Sequence, residues 1–115
     1  MIRNKARRQV LRYPVRLEVK VLKDRPAAGV LVVDLSSLGA RLEGDHPLSP
    51  GLTVDFTIRL PDYPVDSQLS GQVMWSRPLV ETPGRFQMGV KFFATNWELD
   101  RLGREGRLGE PLPAL

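Results

Sequence analysis

The 115-residue chain contains no cysteine and a single histidine, His46. The first absence removes disulfides, thiolate metal sites and cysteine nucleophiles together, and suits a reducing compartment. The second leaves no cluster of histidine ligands, and no Ser/His/Asp arrangement or glycine-rich phosphate loop is legible either. His46 lies in the polar loop GDHPLSPG, where it reads as an ordinary exposed side chain. No catalytic residue and no metal site is therefore expected. Nor does any apolar stretch approach the roughly 20 residues needed to span a bilayer. The N-terminus MIRNKARRQV carries charge without a hydrophobic segment behind it, so a cytoplasmic protein without membrane insertion is expected. Aromatic residues make up only 7% of the chain, and most fall on faces that look internal, which leaves few stacking platforms for a single-stranded nucleic acid. Nucleic acid is not an expected partner.

Positive charge is present, and it is unevenly placed. Residues 1 to 25 carry nine Lys or Arg against Glu18 and Asp24, while the remainder of the chain is net negative. Such a segment reads as a phosphate-contacting arm or as a solvated tail.

Hydrophobic periodicity predicts six short strands. VRLEVKV at 15 to 21 alternates, GVLVVDL at 29 to 35 is almost continuously apolar, and ARLEG at 40 to 44 alternates again, so the last two form a hairpin. VDFTIRL at 54 to 60, LSGQVMW at 69 to 75 and FQMGVKFF at 86 to 93 complete the set. Leu69, Val73 and Trp75 align on one face, which makes Trp75 a candidate core aromatic. Thr95 and Glu98 have capping-box spacing for a helix over 96 to 106. Gly103 and Gly106 weaken that helix by about 1 kcal/mol each relative to alanine, so it is expected to lay Trp97, Leu99 or Leu102 on the strands. The expected fold is all-β with a C-terminal helix, a small six-stranded antiparallel barrel of split-barrel type. The chain divides into a basic arm over 1–12, the barrel with its helix over 13–107, and an irregular tail over 108–115.

Two spacings remain. Arg8 and Arg12 in RQVLR form R-x-x-x-R, a pattern that thirteen arginines produce about once by chance. DLSSLG supplies D-x-S-x-x-G through Asp34, Ser36 and Gly39, for which the chance expectation is on the order of 0.03. An arginine pair before the first strand, then D-x-S-x-x-G some twenty residues later at the end of the second, resembles the PilZ domain family over about residues 5 to 105. The resemblance implies a small β-barrel with a C-terminal helix and a non-catalytic receptor for the bacterial second messenger cyclic di-GMP. It assigns the ligand to Arg8, Arg12, Asp34, Ser36 and Gly39. It also places Arg7 beside the ligand, where an arginine fits an intercalated dimer of the dinucleotide, and sets Trp75 and Arg77 on a flanking strand.

The chemistry of these residue types agrees. Arginine pairs with phosphate bidentately, matches the O6/N7 edge of guanine and stacks on a purine face. Guanine's N1–H and N2–H₂ edge consists of donors, and an ionised Asp34 only accepts. Ser36 both donates and accepts; Gly39 either adopts a left-handed backbone or lets the ligand approach closely. Arg41 points to the same region or caps the turn. Pro14 biases Tyr13 toward extended backbone, which puts Arg8 and Arg12 roughly 13 Å apart, or about 6 Å apart if a helical turn precedes Tyr13. Binding is expected to reorder the arm and signal to a protein effector in trans, with no cofactor other than the nucleotide itself. A PilZ-like protein adaptor without nucleotide binding, and a basic barrel for single-stranded nucleic acid, are the alternatives.

Overall fold

The computed structural model describes residues 10–23 and 25–113. Its eight strands form one antiparallel sheet in the order β1-β4-β5-β8-β7-β6-β2-β3. They are β1 (Tyr13–Glu18), β2 (Val21–Leu22), β3 (Arg25–Pro26), β4 (Leu31–Leu35), β5 (Gly39–Gly44), β6 (Thr53–Ile58), β7 (Ser67–Pro78) and β8 (Phe86–Phe92), followed by one helix, α1 (Trp97–Arg104).

The difference from six strands lies at the start of the chain. VRLEVKV is not one strand but two, because the chain passes from one border of the sheet to the other within it. The Val19 amide donates to Val30 O, next to β4, and the Lys20 amide donates to Thr57 O on β6. Consecutive residues thus tie opposite sides of the strand order together, and the sheet curls into a half-barrel with its borders drawn close. The alternating residues face inward. Val32, Leu42, Val54, Ile58 and Val73 are at most 1% exposed and pack with Leu35, Phe56, Met88 and Val90.

α1 closes one end of this core. It is shorter than expected, and its N-cap is Asn96 rather than Thr95: Asn96 Oδ1 accepts the Leu99 amide at 2.9 Å. Glu98 turns outward to Arg101, 2.7 Å away, and makes no capping box. Leu99 and Leu102 are buried on the strands, whereas Trp97 stays 71% exposed. Gly103 is not a weak point to be tolerated. A β-carbon there would stand 2.5 Å from the Tyr13 hydroxyl, so glycine is what lets Tyr13 seat against the helix. Beyond α1 the backbone is irregular, with Leu108 buried and the Leu112 amide bonded to Arg12 O.

Candidate functional site

Asp34 and Trp75 occupy positions that strict alternation would send into the core. Both are redirected by bulges. The β4–β5 register shifts between Val32 and Asp34, and the β7–β8 register shifts between Val73 and Trp75. One extra residue reverses which face every later side chain takes. Asp34 and Trp75 therefore meet on the outer face of the sheet, and the expectation of Trp75 as a core aromatic is corrected.

On that face lies a cleft of about 230 Å³ whose lining includes Arg12, Asp34, Ser36, Gly39, Arg41 and Trp75, together with Met74, Gly89 and Lys91. Asp34 is its electrostatic centre. Its side chain is only 8% exposed, and Oδ2 accepts from Arg12 Nη2 at 2.7 Å. Asp34 pairs with Arg41 across β4 and β5, which brings Arg41 Nε to 2.9 Å from the same oxygen. The Arg41 Nε–H is not directed at that oxygen and has no acceptor among the described residues. Burial pushes the Asp34 carboxyl above its usual range, while the Arg12 guanidinium pulls it back. Guanidiniums thus stand on two sides of the carboxylate, and of these two contacts the Arg12 one is a directed hydrogen bond.

The turn that follows is built by Ser36. Its hydroxyl accepts the amides of Leu38 and Gly39, both at 3.1 Å, while its own amide donates to Gly39 O. Gly39 has no left-handed backbone. A β-carbon there would lie 2.3 Å from Val90 O, so the glycine is required by the close approach of β5 to β8. The carbonyls of the turn are tied down as well: Leu38 O accepts the Phe92 amide and Ser37 O accepts the Asn96 amide at the N-cap of α1. Asp, Ser and Gly crowd there to hold a rigid turn that presents Asp34.

Trp75 forms the opposite wall. Its indole lies over Gly89, where a β-carbon would clash at 2.3 Å from Nε1, and Arg77 stacks on it with the guanidinium 4.8 Å from the ring centre. Six of the nine expected residues, Arg12, Asp34, Ser36, Gly39, Arg41 and Trp75, thus line one cleft, and Arg77 borders it. Arg7 and Arg8 lie outside the described residues. Sequence reasoning missed Met74, Gly89, Lys91 and, at the border, Gln87. Only Gly89 carried a signal, since a glycine inside a strand marks close approach of another group.

The model of the PilZ domain matches residues 3–102. The chain belongs to the PilZ domain family. PilZ domains are generally receptor or adaptor domains rather than catalysts, and the family implies cyclic di-GMP binding and contact with protein effectors. Among solved structures the fold is similar to that of the Bacillus subtilis inhibitor of motility, MotI/DgrA, with a TM-score of 0.67 and 19% identity. That likeness covers 90% of this chain and 53% of the other, so the chain spans about half the length of its structural neighbour. No curated protein matches the chain. No helix among the described residues is long and apolar enough to cross a membrane.

Proposed function

We propose that this PilZ chain is a non-catalytic receptor for cyclic di-GMP, which it binds on the outer face of the barrel at the Asp34 cleft. One observation carries the reading: a bulge turns Asp34 outward between Arg12 and Arg41, beside the turn made by Ser36 and Gly39 and facing the Trp75 wall. A guanine can present its N1–H and N2–H₂ donors to the Asp34 carboxylate. Arg12 and Arg41 then exchange a shared carboxylate for contacts with phosphate or with the O6/N7 edge, for which guanidinium geometry is suited. Trp75 offers a half-exposed aromatic face, and Arg77 a cation next to it.

In this reading Arg8 and Arg7 of the N-terminal arm supply further guanidiniums. Arg7 is assigned to a second, intercalated copy of the dinucleotide. Binding reorders the arm over residues 1–12, and the altered surface is read by a protein effector in trans. The chain acts in a bacterial cytoplasm, where this messenger is made.

Isothermal titration with cyclic di-GMP tests the reading, with GTP and cyclic di-AMP as controls. Saturable binding that is lost in Arg8→Ala and Asp34→Ala supports it, and two ligands per chain support the role of Arg7. No heat and no thermal shift at about 100 μM ligand, where a micromolar binder is saturated, sinks it and leaves the adaptor reading.

A further inference from the structure

Gln87 is 8% exposed on the outer face of β8. A buried carboxamide needs partners at both ends. Its Nε2 donates to Glu43 Oε2 at 3.2 Å, which decides the orientation of the amide. Its Oε1 then accepts from two guanidiniums, Arg41 Nη1 at 3.4 Å and Arg77 Nη2 at 3.3 Å. Strand register produces this meeting, because Gln87 lies opposite Arg77 on β7 and opposite Glu43 on β5.

Two cations converge on a single neutral oxygen, through long bonds that use one donor of each. Guanidiniums brought this close repel each other unless something negative stands between them. A carboxylate at position 87 would supply that charge permanently. A carboxamide orients the pair without adding charge, and Asp34 offsets the Arg41 side alone, so the place between them stays attractive to an anion. The surroundings agree: among the described residues, Arg12, Arg41, Arg77 and Lys91 stand about the cleft and its border against Asp34 and Glu43.

We propose that Gln87 is a positioning residue that aligns Arg41 and Arg77 as a two-guanidinium seat for a phosphate group of the bound nucleotide, and that its neutrality keeps the seat open. The ligand half of this inference rests on the receptor reading above. The positioning half does not.

The test uses Gln87→Met, which removes the shared acceptor, and Gln87→Glu, which keeps an acceptor but adds charge; amide spectra verify that each variant is folded. In the ligand-free wild type, the side-chain Nη–H signals of Arg41 and Arg77, which carry the bonds to Gln87 Oε1, are expected to be resolved and slow to exchange. In Gln87→Met they collapse together to those of a free arginine. In Gln87→Glu they stay resolved. With cyclic di-GMP as the probe, both variants bind about tenfold or more weakly, and Gln87→Glu also loses part of the dependence of affinity on salt between about 50 mM and about 200 mM. Unchanged arginine signals in Gln87→Met overturn the positioning role whatever binds. Collapsed signals with undiminished affinity in both variants overturn the phosphate seat. Collapsed signals with no binding to the wild type overturn the receptor reading, and the ligand half of the inference with it.

Discussion

Arg41 and Leu42 are neighbours in β5, and their side chains belong to two different proteins in all but chain connectivity. Leu42 is fully buried among aliphatic side chains, where its contribution comes from packing and removal of apolar surface from water. Arg41 faces the cleft, beside a carboxylate and a second guanidinium. The inner face of the sheet satisfies its groups internally; the outer face over β4, β5, β7 and β8 holds charges that are incompletely satisfied. The difference is the physical ground for proposing the outer face as the ligand site.

Substitutions on the two faces are expected to separate cleanly. Leu42→Ala costs about 2–5 kcal/mol of stability, the usual range for a buried leucine that leaves a cavity, and is measured as a shift of the urea midpoint. Arg41→Ala is expected to leave that midpoint within about 1 kcal/mol, because Arg12 still pairs with Asp34, and instead to weaken cyclic di-GMP binding. Comparable destabilisation by both substitutions would break the comparison.

Gly103→Ala sharpens it at the helix. Propensity alone would make this substitution stabilising by about 1 kcal/mol. The Tyr13 hydroxyl occupies the space a β-carbon needs, so the variant is expected to lose about 1–3 kcal/mol by overpacking. A rise in melting temperature would show that Tyr13 does not seat there.

A smaller effect separates the faces by pH. The folded protein holds the Asp34 proton more tightly than the unfolded chain does, because burial raises this carboxyl above its ordinary value of 3.8. Its contribution therefore favours the folded state below that value and fades as pH rises through the raised folded value. Glu98 on α1 has the opposite sign. Its hydrogen bond with Arg101 lowers it below the ordinary 4.5, so its contribution is present above 4.5 and is lost as pH falls through the lowered folded value. Urea midpoints between about pH 3 and about pH 7, near these carboxylate values, are expected to show Asp34→Asn losing relative stability toward acid. Glu98→Gln gives the smallest change, visible only toward neutral pH.

Much of this fold was legible because its core obeys simple periods. Met88, Val90 and Phe92 of β8 alternate without interruption, and all three are buried as the pattern requires. The β4–β5 hairpin likewise lies where the apolar runs and the DLSSLG turn put it. The candidate cleft was legible as a set of residues, through the spacing of Asp34, Ser36 and Gly39, but not as a surface. Periodicity sends Trp75 inward with Val73, and no residue type announces the bulge that reverses it. The same holds for the strand that Val19 and Lys20 divide, since the division depends on where the sheet's other border arrives. Gln87 was illegible for another reason: an outward polar residue in an alternating strand is ordinary, and only the cross-strand register reveals that it touches Arg41 and Arg77.

The most direct measurement is an amide chemical-shift titration of the ¹⁵N-labelled protein with cyclic di-GMP. The outer-face cleft as ligand site requires the largest changes to cluster at Asp34 to Arg41, Met74 to Arg77 and Gln87 to Lys91, with the interior of β6 and the exposed side of α1 nearly silent. Changes centred on α1 instead, or none at saturating ligand, would contradict it.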